Sequence, residues 1–256
     1  MHFRRIMSII LAAITLLSNS LIFTSCGKKT IVIGYTEIRP LNYKDEDANL
    51  VGFDTEFAKA VCEKLGYEIE FHKIKDWSRL ESEFTEYHVD CIWNGVTITP
   101  EREKYLTFTE PYMTNKQVIV VAADKAEGFN PHDAKIAVES GSVGQKVVST
   151  DGVFAGCATV EVSTQTDTLK EVASGTVTCA MLDYVVAMSM IGEGTDYEKL
   201  VILDSYEFEE EKYGVAFAKD NEEIRDEFQK AIDELMVDGT IAKLAKKYNL
   251  QELLVK

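Results

Sequence analysis

Asp90-Cys91-Ile92-Trp93-Asn94-Gly95-Val96-Thr97-Ile98-Thr99-Pro100-Glu101-Arg102 is the stretch whose reading decides the fold. Val89 to Trp93 is an apolar, partly β-branched run of the length of a buried strand. Gly95 breaks it, and Thr99-Pro100 sets a capping hydroxyl ahead of a proline at a first helical position. The segment therefore reads as strand, loop and a helix beginning near Pro100. Arg102 then falls in the first turn, where the macrodipole and the unpaired N–H groups favour an anion and a cation is misplaced. Two readings account for it. One is a surface arginine paired with Glu101 or Glu103. The other is a guanidinium that joins the Thr97 hydroxyl and backbone N–H groups near Gly95 in gripping one small anion, such as a carboxylate.

Upstream of this stretch, Ile31 to Tyr35 reads as a strand and Thr36 to Asn49 as a polar loop containing Pro40. Asp54 is expected to cap an amphipathic helix that carries Phe57, Ala58, Val61, Cys62 and Leu65 on one face and stops at Gly66. Tyr67 to His72 alternates apolar and polar as a half-buried strand does, and Trp77 to Tyr87 is a second helix. With the strand at Val89 this is βαβαβ, the pattern of an open, parallel, right-handed sheet. Ligands of such sheets bind beyond the carboxyl ends of the strands, where the Gly34–Tyr43 and Asn94–Thr97 loops both fall. Downstream, Gln117 to Ala123 is a β-branched run after which the pattern restarts. Strands are expected at Lys135 to Val138, Thr159 to Val162 and Thr178 to Leu182, with helices from Val143, Thr168 and Asp183. Tyr213 to Ala218 is a further strand. Two amphipathic helices follow, Glu222 to Met236 and Ile241 to Tyr248, split by Asp238-Gly239.

The central segment, preceded by Leu50-Val51-Gly52-Phe53-Asp54 and followed by Phe108-Thr109-Glu110-Pro111-Tyr112, resembles the signature of the extracellular solute-binding proteins of family 3. These are the amino-acid receptors of bacterial ABC importers, and the likeness runs from about Ile31 to about Tyr248. It implies an α/β, two-lobed type II periplasmic-binding-protein fold with two hinge strands, expected near 118–123 and 213–218. Residues 27–120 with 216–256 would form one lobe and 121–215 the other, the C-terminal helices returning to the first. It also implies an L-amino acid as ligand, no catalysis and no cofactor, ABC permease subunits as partners, and a monomer.

Arg4-Arg5 followed by an uncharged apolar run from Ile6 to Phe23 has the form of an export signal. Phe23-Thr24-Ser25-Cys26 resembles a lipobox, with Phe23 where leucine is usual, so residues 1–26 are expected to be a lipoprotein signal peptide and Cys26 the lipidated, membrane-anchoring residue. An uncleaved anchor is the alternative, since a run of this length can just span a bilayer. Removing Arg4 and Arg5 and no acids takes the formal charge from −16 to −18, a balance that excludes nucleic-acid binding by counterion release. Cys62, Cys91, Cys157 and Cys179 remain, two in each predicted lobe; disulfides and buried thiols are both open. The four histidines have no zinc-ligand spacing, and neither a G-x-S-x-G elbow nor a P-loop occurs.

Carried onto this sequence, the resemblance supports Arg102, Thr97 and Gly95 for the ligand carboxylate, makes Asn94 of the same loop a further ligand-binding residue, and assigns Asp183 to the α-ammonium. Gly141-Ser142-Val143-Gly144 opens a helix whose N–H groups can face an anion; the family often has two threonines where Ser142 and Val143 stand. Trp77 matches an aromatic flanking the ligand side chain. Leu41 stands where phenylalanine is common and Arg39 where a small residue or proline is, so stacking is left to Tyr35 or Trp77. Glu37 and Glu139 could lie at the side-chain end, and Glu139 replaces an apolar residue of basic-amino-acid receptors. That pattern suggests a polar or cationic side chain. An enzyme on the same fold, such as a dehydratase using Glu37 or Glu139 as general acid, is the rival reading; an amino-acid sensor module is another.

Overall fold

Strands rich in isoleucine and valine, buried on both faces, call for a parallel sheet covered by helices, and the first half of the chain has this form. The computed structural model describes residues 28–255 apart from Ala155; Cys26 and the segment read as an export signal lie outside them. β1 (Thr30–Tyr35) is followed by the short hairpin β2 (Tyr43–Lys44) and β3 (Leu50–Val51), then by α1 (Phe53–Leu65) and β4 (Glu68–Lys73). After α2 (Leu80–Thr85) come β5 (Cys91–Thr97), β6 (Leu106–Phe108) and β7 (Met113–Ala122). The second half contains β8 (Lys135–Glu139), α3 (Val143–Thr150), β9 (Ala158–Val162), α4 (Gln165–Ala173), β10 (Cys179–Asp183), α5 (Tyr184–Met190) and β11 (Leu200–Ile202). β12 (Glu210–Ala218), α6 (Glu222–Val237) and α7 (Thr240–Lys247) complete it.

The strands run in the order β4-β1-β5-β12-β7-β10-β8-β9, with β6 on β12 and β11 on β7. β1 is parallel to β4 and β5, and β8 is parallel to β9 and β10, so each half has its own parallel βαβ unit. The two long strands β7 and β12 join them. Met113–Lys116 pairs antiparallel with Glu210–Tyr213, ahead of the first stretch read as a crossing and overlapping the second only at Tyr213. Beyond that point β7 pairs with β10 and β11 while β12 pairs with β5 and β6. α6 packs on the first half: Phe228 lies 5.3 Å from Phe217 and 6.2 Å from Trp93, ring centre to ring centre, and Trp93 lies 4.8 Å from Phe57 of α1. Each such fully buried aromatic contributes about 1.5–3 kcal/mol over an exposed one, which holds the C-terminal helices on the first lobe.

Several local expectations are corrected. The helix expected near Pro100 is a single 3-10 turn, Arg102–Lys104, whose cap position is Glu101 and not Thr99; Thr99 Oγ1 accepts from the Arg102 N–H at 3.3 Å in the turn before it, and the chain then passes at once into β6. Gly95 does not end its strand: β5 runs on to Thr97 with Gly95 at φ +58°, where a Cβ would sit 2.7 Å from Leu41 Cδ1. α1 is capped by Gly52 and not by Asp54, whose buried carboxylate instead accepts from the Gly95 N–H (2.7 Å) and the Tyr112 hydroxyl (2.9 Å). The Trp77–Tyr87 helix is broken into a 3-10 turn, Trp77–Arg79, and α2. Cys62, Cys91, Cys157 and Cys179 are free thiols.

Candidate functional site

The carboxyl ends of β1 and β5 in the first lobe face those of β8, β9 and β10 in the second. Thr36, Ile38, Leu41, Trp77, Asn94, Gly95, Thr97 and Arg102 from one side meet Glu139, Ser142, Val143, Gln165 and Asp183 from the other. The space between them is about 20 Å³, room for about one water and far too little for an amino acid. An amino acid enters only if the two walls separate.

Arg102 is 8 % exposed, and its guanidinium donates to the Thr97 carbonyl oxygen at 2.8 Å. Its central carbon lies 5.9 Å from the centre of the Trp77 ring. Among the described residues it forms no ion pair, and burial lowers its pKa from the ordinary value. A guanidinium has five N–H donors, so a buried one with a single carbonyl partner is prepared for an anion. Asp183, 9 % exposed at the end of β10, is surrounded by neutral donors: Asn115 Nδ2 (3.0 Å) and Gln117 Nε2 (2.6 Å) on Oδ1, and Gln165 Nε2 (2.7 Å) on Oδ2. Gln165 also accepts the Asp183 N–H at 2.9 Å. No cation of the described residues pairs with Asp183. The cleft thus sets one positive and one negative group on opposite walls, neither ion-paired within the described residues.

Glu139, 4 % exposed at the end of β8, is pushed up to about 8 by burial and by the charge of Asp183. Ser142 caps α3 through its Oγ, which accepts from the Gln145 N–H at 3.0 Å. The Val143 and Gly144 N–H groups are left without a partner inside the helix, as first-turn donors are. Gly141, at φ +76°, brings the second lobe onto the first: a Cβ there would stand 2.5 Å from Ser78 Cα.

Ten of the twelve candidate ligand residues read from the sequence line this cleft. Tyr35 and Glu37 do not. Tyr35 packs edge-on against Phe71 with ring centres 5.9 Å apart, and Glu37 pairs with Lys73 at 3.0 Å. Three of the ten are engaged differently from the expectation, the Thr97 hydroxyl among them, which donates to Glu211 Oε2 at 2.9 Å. The Gly95 N–H is taken by Asp54. The Asn94 side chain braces the Thr36 loop, Oδ1 accepting from the Thr36 N–H (2.8 Å) and Asn42 Nδ2 (2.9 Å) and Nδ2 donating to Thr36 Oγ1 (2.7 Å). Thr36, Ile38 and Gln165 are added. Thr36 and Ile38 follow β1 and Gln165 follows β9, so the rule that ligands sit beyond strand carboxyl ends covers all three; nothing in their own residue types singles them out.

A two-lobed fold with opposite charges on the facing walls of a polar cleft is the arrangement of a small-molecule receptor. The chain belongs to the bacterial extracellular solute-binding proteins, family 3, whose model matches residues 31–251. It is 32 % identical over 239 residues to the arginine-binding extracellular protein ArtP of Bacillus subtilis, covering 92 % of both chains. An ancestral arginine-binding protein bound to arginine superposes with a TM-score of 0.79 at 29 % identity, over 86 % of this chain and 98 % of that one. An ancestral amino-acid-binding protein, a precursor of cyclohexadienyl dehydratase, gives 0.76 at 28 % identity, over 86 % of this chain and 94 % of that one.

Proposed function

We propose that this protein is the substrate-binding component of an ABC importer, capturing an L-amino acid with a polar or cationic side chain between its lobes and handing it to a permease. The observation that carries this reading is the pair Arg102 and Asp183, opposite charges on opposite walls of one cleft, each without a counterion among the described residues. An α-amino acid supplies both missing partners on one carbon, so it can be enclosed with no bare buried charge. Arg102 takes the carboxylate, helped by the α3 N–H donors at Val143; Asp183 takes the ammonium; Trp77 and Leu41 flank the side chain; Glu139 faces a cationic end group. We place residues 27–120 and 216–256 in the first lobe and 121–215 in the second, with β7 and β12 as the hinge. The relatives that bind arginine support a basic ligand. Cys26 is proposed as the lipidated residue that holds a monomer on the outer face of the cell membrane.

A thermal-shift screen of the twenty amino acids with cystine, ornithine and citrulline tests this, followed by calorimetry on Arg102→Ala and Asp183→Asn. A panel in which nothing raises the melting temperature overturns the reading. One feature favours the enzyme alternative: Glu139, held protonated near neutral pH, has the state a general acid needs, and one structural relative is the precursor of a dehydratase. A dehydratase substrate need not carry both charges, whereas Arg102 and Asp183 together ask for both. A turnover assay on any ligand found in the screen separates the two.

A further inference from the structure

Behind Asp183 stands a second carboxyl group that the binding reading leaves unused. Glu211 lies on β12, directly across the hinge pairing from Asn115 of β7. Its Oε2 accepts from Asn115 Nδ2 at 3.0 Å and from Thr97 Oγ1 at 2.9 Å, and its Oε1 accepts from Gln117 Nε2 at 2.8 Å. The same two amide nitrogens are those that donate to Asp183 Oδ1. An amide has two N–H hydrogens, so Asn115 and Gln117 each spend one on Asp183 and one on Glu211. The four side chains close a ring in which carboxyl groups and amides alternate. It is fastened to the second lobe through β10, to both hinge strands and, through Thr97, to the first lobe.

We infer that Glu211 is a positioning residue for the ammonium subsite: through Asn115 and Gln117 it fixes Asp183, and it ties engagement of a ligand ammonium to the geometry of the hinge. This rests on the assignment of Asp183 to the ammonium. The physical reason is twofold. Each amide can keep its N–H on Asp183 only while an acceptor holds the other hydrogen, because a rotated amide would turn its oxygen toward a carboxylate. Two carboxyl groups bridged in a buried place also hold more negative potential than either alone, and burial together with the charge of Asp183 raises Glu211 to about 7. An arriving ammonium relieves that repulsion, and the ring transmits the relief to β7 and β12 at the residues where they pair.

The experiment is a double-mutant cycle read by calorimetry, using the L-amino acid that gives the largest thermal shift in the panel and its analogue lacking the α-amino group. Glu211→Gln keeps the shape and alters the acceptor and the charge. It should weaken the amino acid about 10- to 100-fold, the effect that outer partners have around metal ligands. In an Asp183→Asn background, and for the deamino analogue, it should change binding by less than about twofold, the tolerance for uncoupled sites. Asn115→Ala removes one bridge by a different route and should reproduce the result, which covers the case of a Glu211→Gln protein that does not fold. Equal loss for both ligands, or undiminished loss in the Asp183→Asn background, makes Glu211 merely structural and overturns the inference. If Asp183→Asn itself binds as the wild type does, or no amino acid binds, the site assignment fails first, and the inference with it.

Discussion

The two ends of the cleft are built on opposite plans. Asp183 is held by three amides from two hinge-strand positions and α4, so its geometry is set before any ligand arrives. Arg102 has one carbonyl partner and an aromatic ring, and burial works against its charge. The lesson is that a carboxylate can be kept ready by neutral donors that also serve the hinge. A guanidinium is kept ready by withholding partners from it. The first arrangement stores order and the second stores unmet hydrogen bonds, and the two should respond differently to mutation.

Removing Arg102 tests this most sharply. Arg102→Ala should weaken amino-acid binding by about 2–5 kcal/mol, as loss of one partner of a desolvated charge pair does, while the melting temperature of the free protein stays the same or rises, because an unpaired buried cation is removed. Calorimetry and thermal melts read both quantities. Asp183→Ala should weaken binding too but also cost the free protein about 1–3 kcal/mol, since Asn115, Gln117 and Gln165 lose an acceptor. If the two variants have the same free stability, the contrast between the ends is wrong.

Gly141→Ala probes closure and touches neither charge. The added methyl would meet the Ser78 backbone at 2.5 Å at a residue already at φ +76°, so the lobes could not meet as they do here. Affinity should fall about tenfold or more, since an overpacked contact of this kind costs about 1–3 kcal/mol and arises only when the lobes close. Small-angle scattering with saturating ligand should give a larger radius of gyration than wild type. Equal compaction would show that this contact does not limit closure.

Glu139 of the second wall and Glu211 behind Asp183 predict a pH dependence with opposite signs for stability and binding. Glu139 is raised from 4.5 to about 8, and Glu211 from 4.5 to about 7. A carboxyl raised on folding contributes stability below its unfolded value, and that stability is lost as pH climbs through the folded value. The free protein should therefore melt lower at pH 8 than at pH 5. A ligand with a cationic side chain favours ionised Glu139, so its affinity should rise between pH 6 and 8, by at most about tenfold per unit for one proton released. A ligand with a neutral side chain should rise less. Calorimetry in buffers of different ionisation enthalpy counts the protons, and no release with a cationic ligand would detach Glu139 from the side-chain end.

How much of this was legible in the sequence follows from what each residue type can announce. The βαβαβ pattern, the restart after Ala123 and the two last helices are periodic, and they stand close to where they were read. Arg102 announced itself by sitting in a first turn, although the helix it implied is only a 3-10 turn. Asp54 did not: an acid two residues after a glycine reads as a cap, and only the fold shows it consuming the Gly95 N–H. Gln165, Asn115, Gln117 and Glu211 are ordinary polar residues of strands and helix starts, and their meaning comes from a convergence of β7, β10 and β12 that no local window contains.

The smallest expected effect belongs to the contact that replaces the surface pairing first considered for Arg102. Glu101 does not pair with its neighbour; it reaches across the cleft to Lys146 on α3, Oε1 to Nζ 2.8 Å, with both side chains about half exposed. Each partner is coupled to the site by position, since Glu101 adjoins Arg102 and Lys146 lies one turn after the Ser142 cap. The pair can form only when the walls are together, so it favours the closed state alone. An exposed pair contributes about 0.2–1 kcal/mol, so Lys146→Ala should weaken binding by no more than about fivefold and chiefly by faster ligand release. The deficit should shrink as salt is raised toward 1 M, where the screening length falls to about 3 Å. A loss that is independent of salt, or one as large as that of Arg102→Ala, would mean that Lys146 touches the ligand itself, and the division of labour between the two ends of the cleft would have to be redrawn around it.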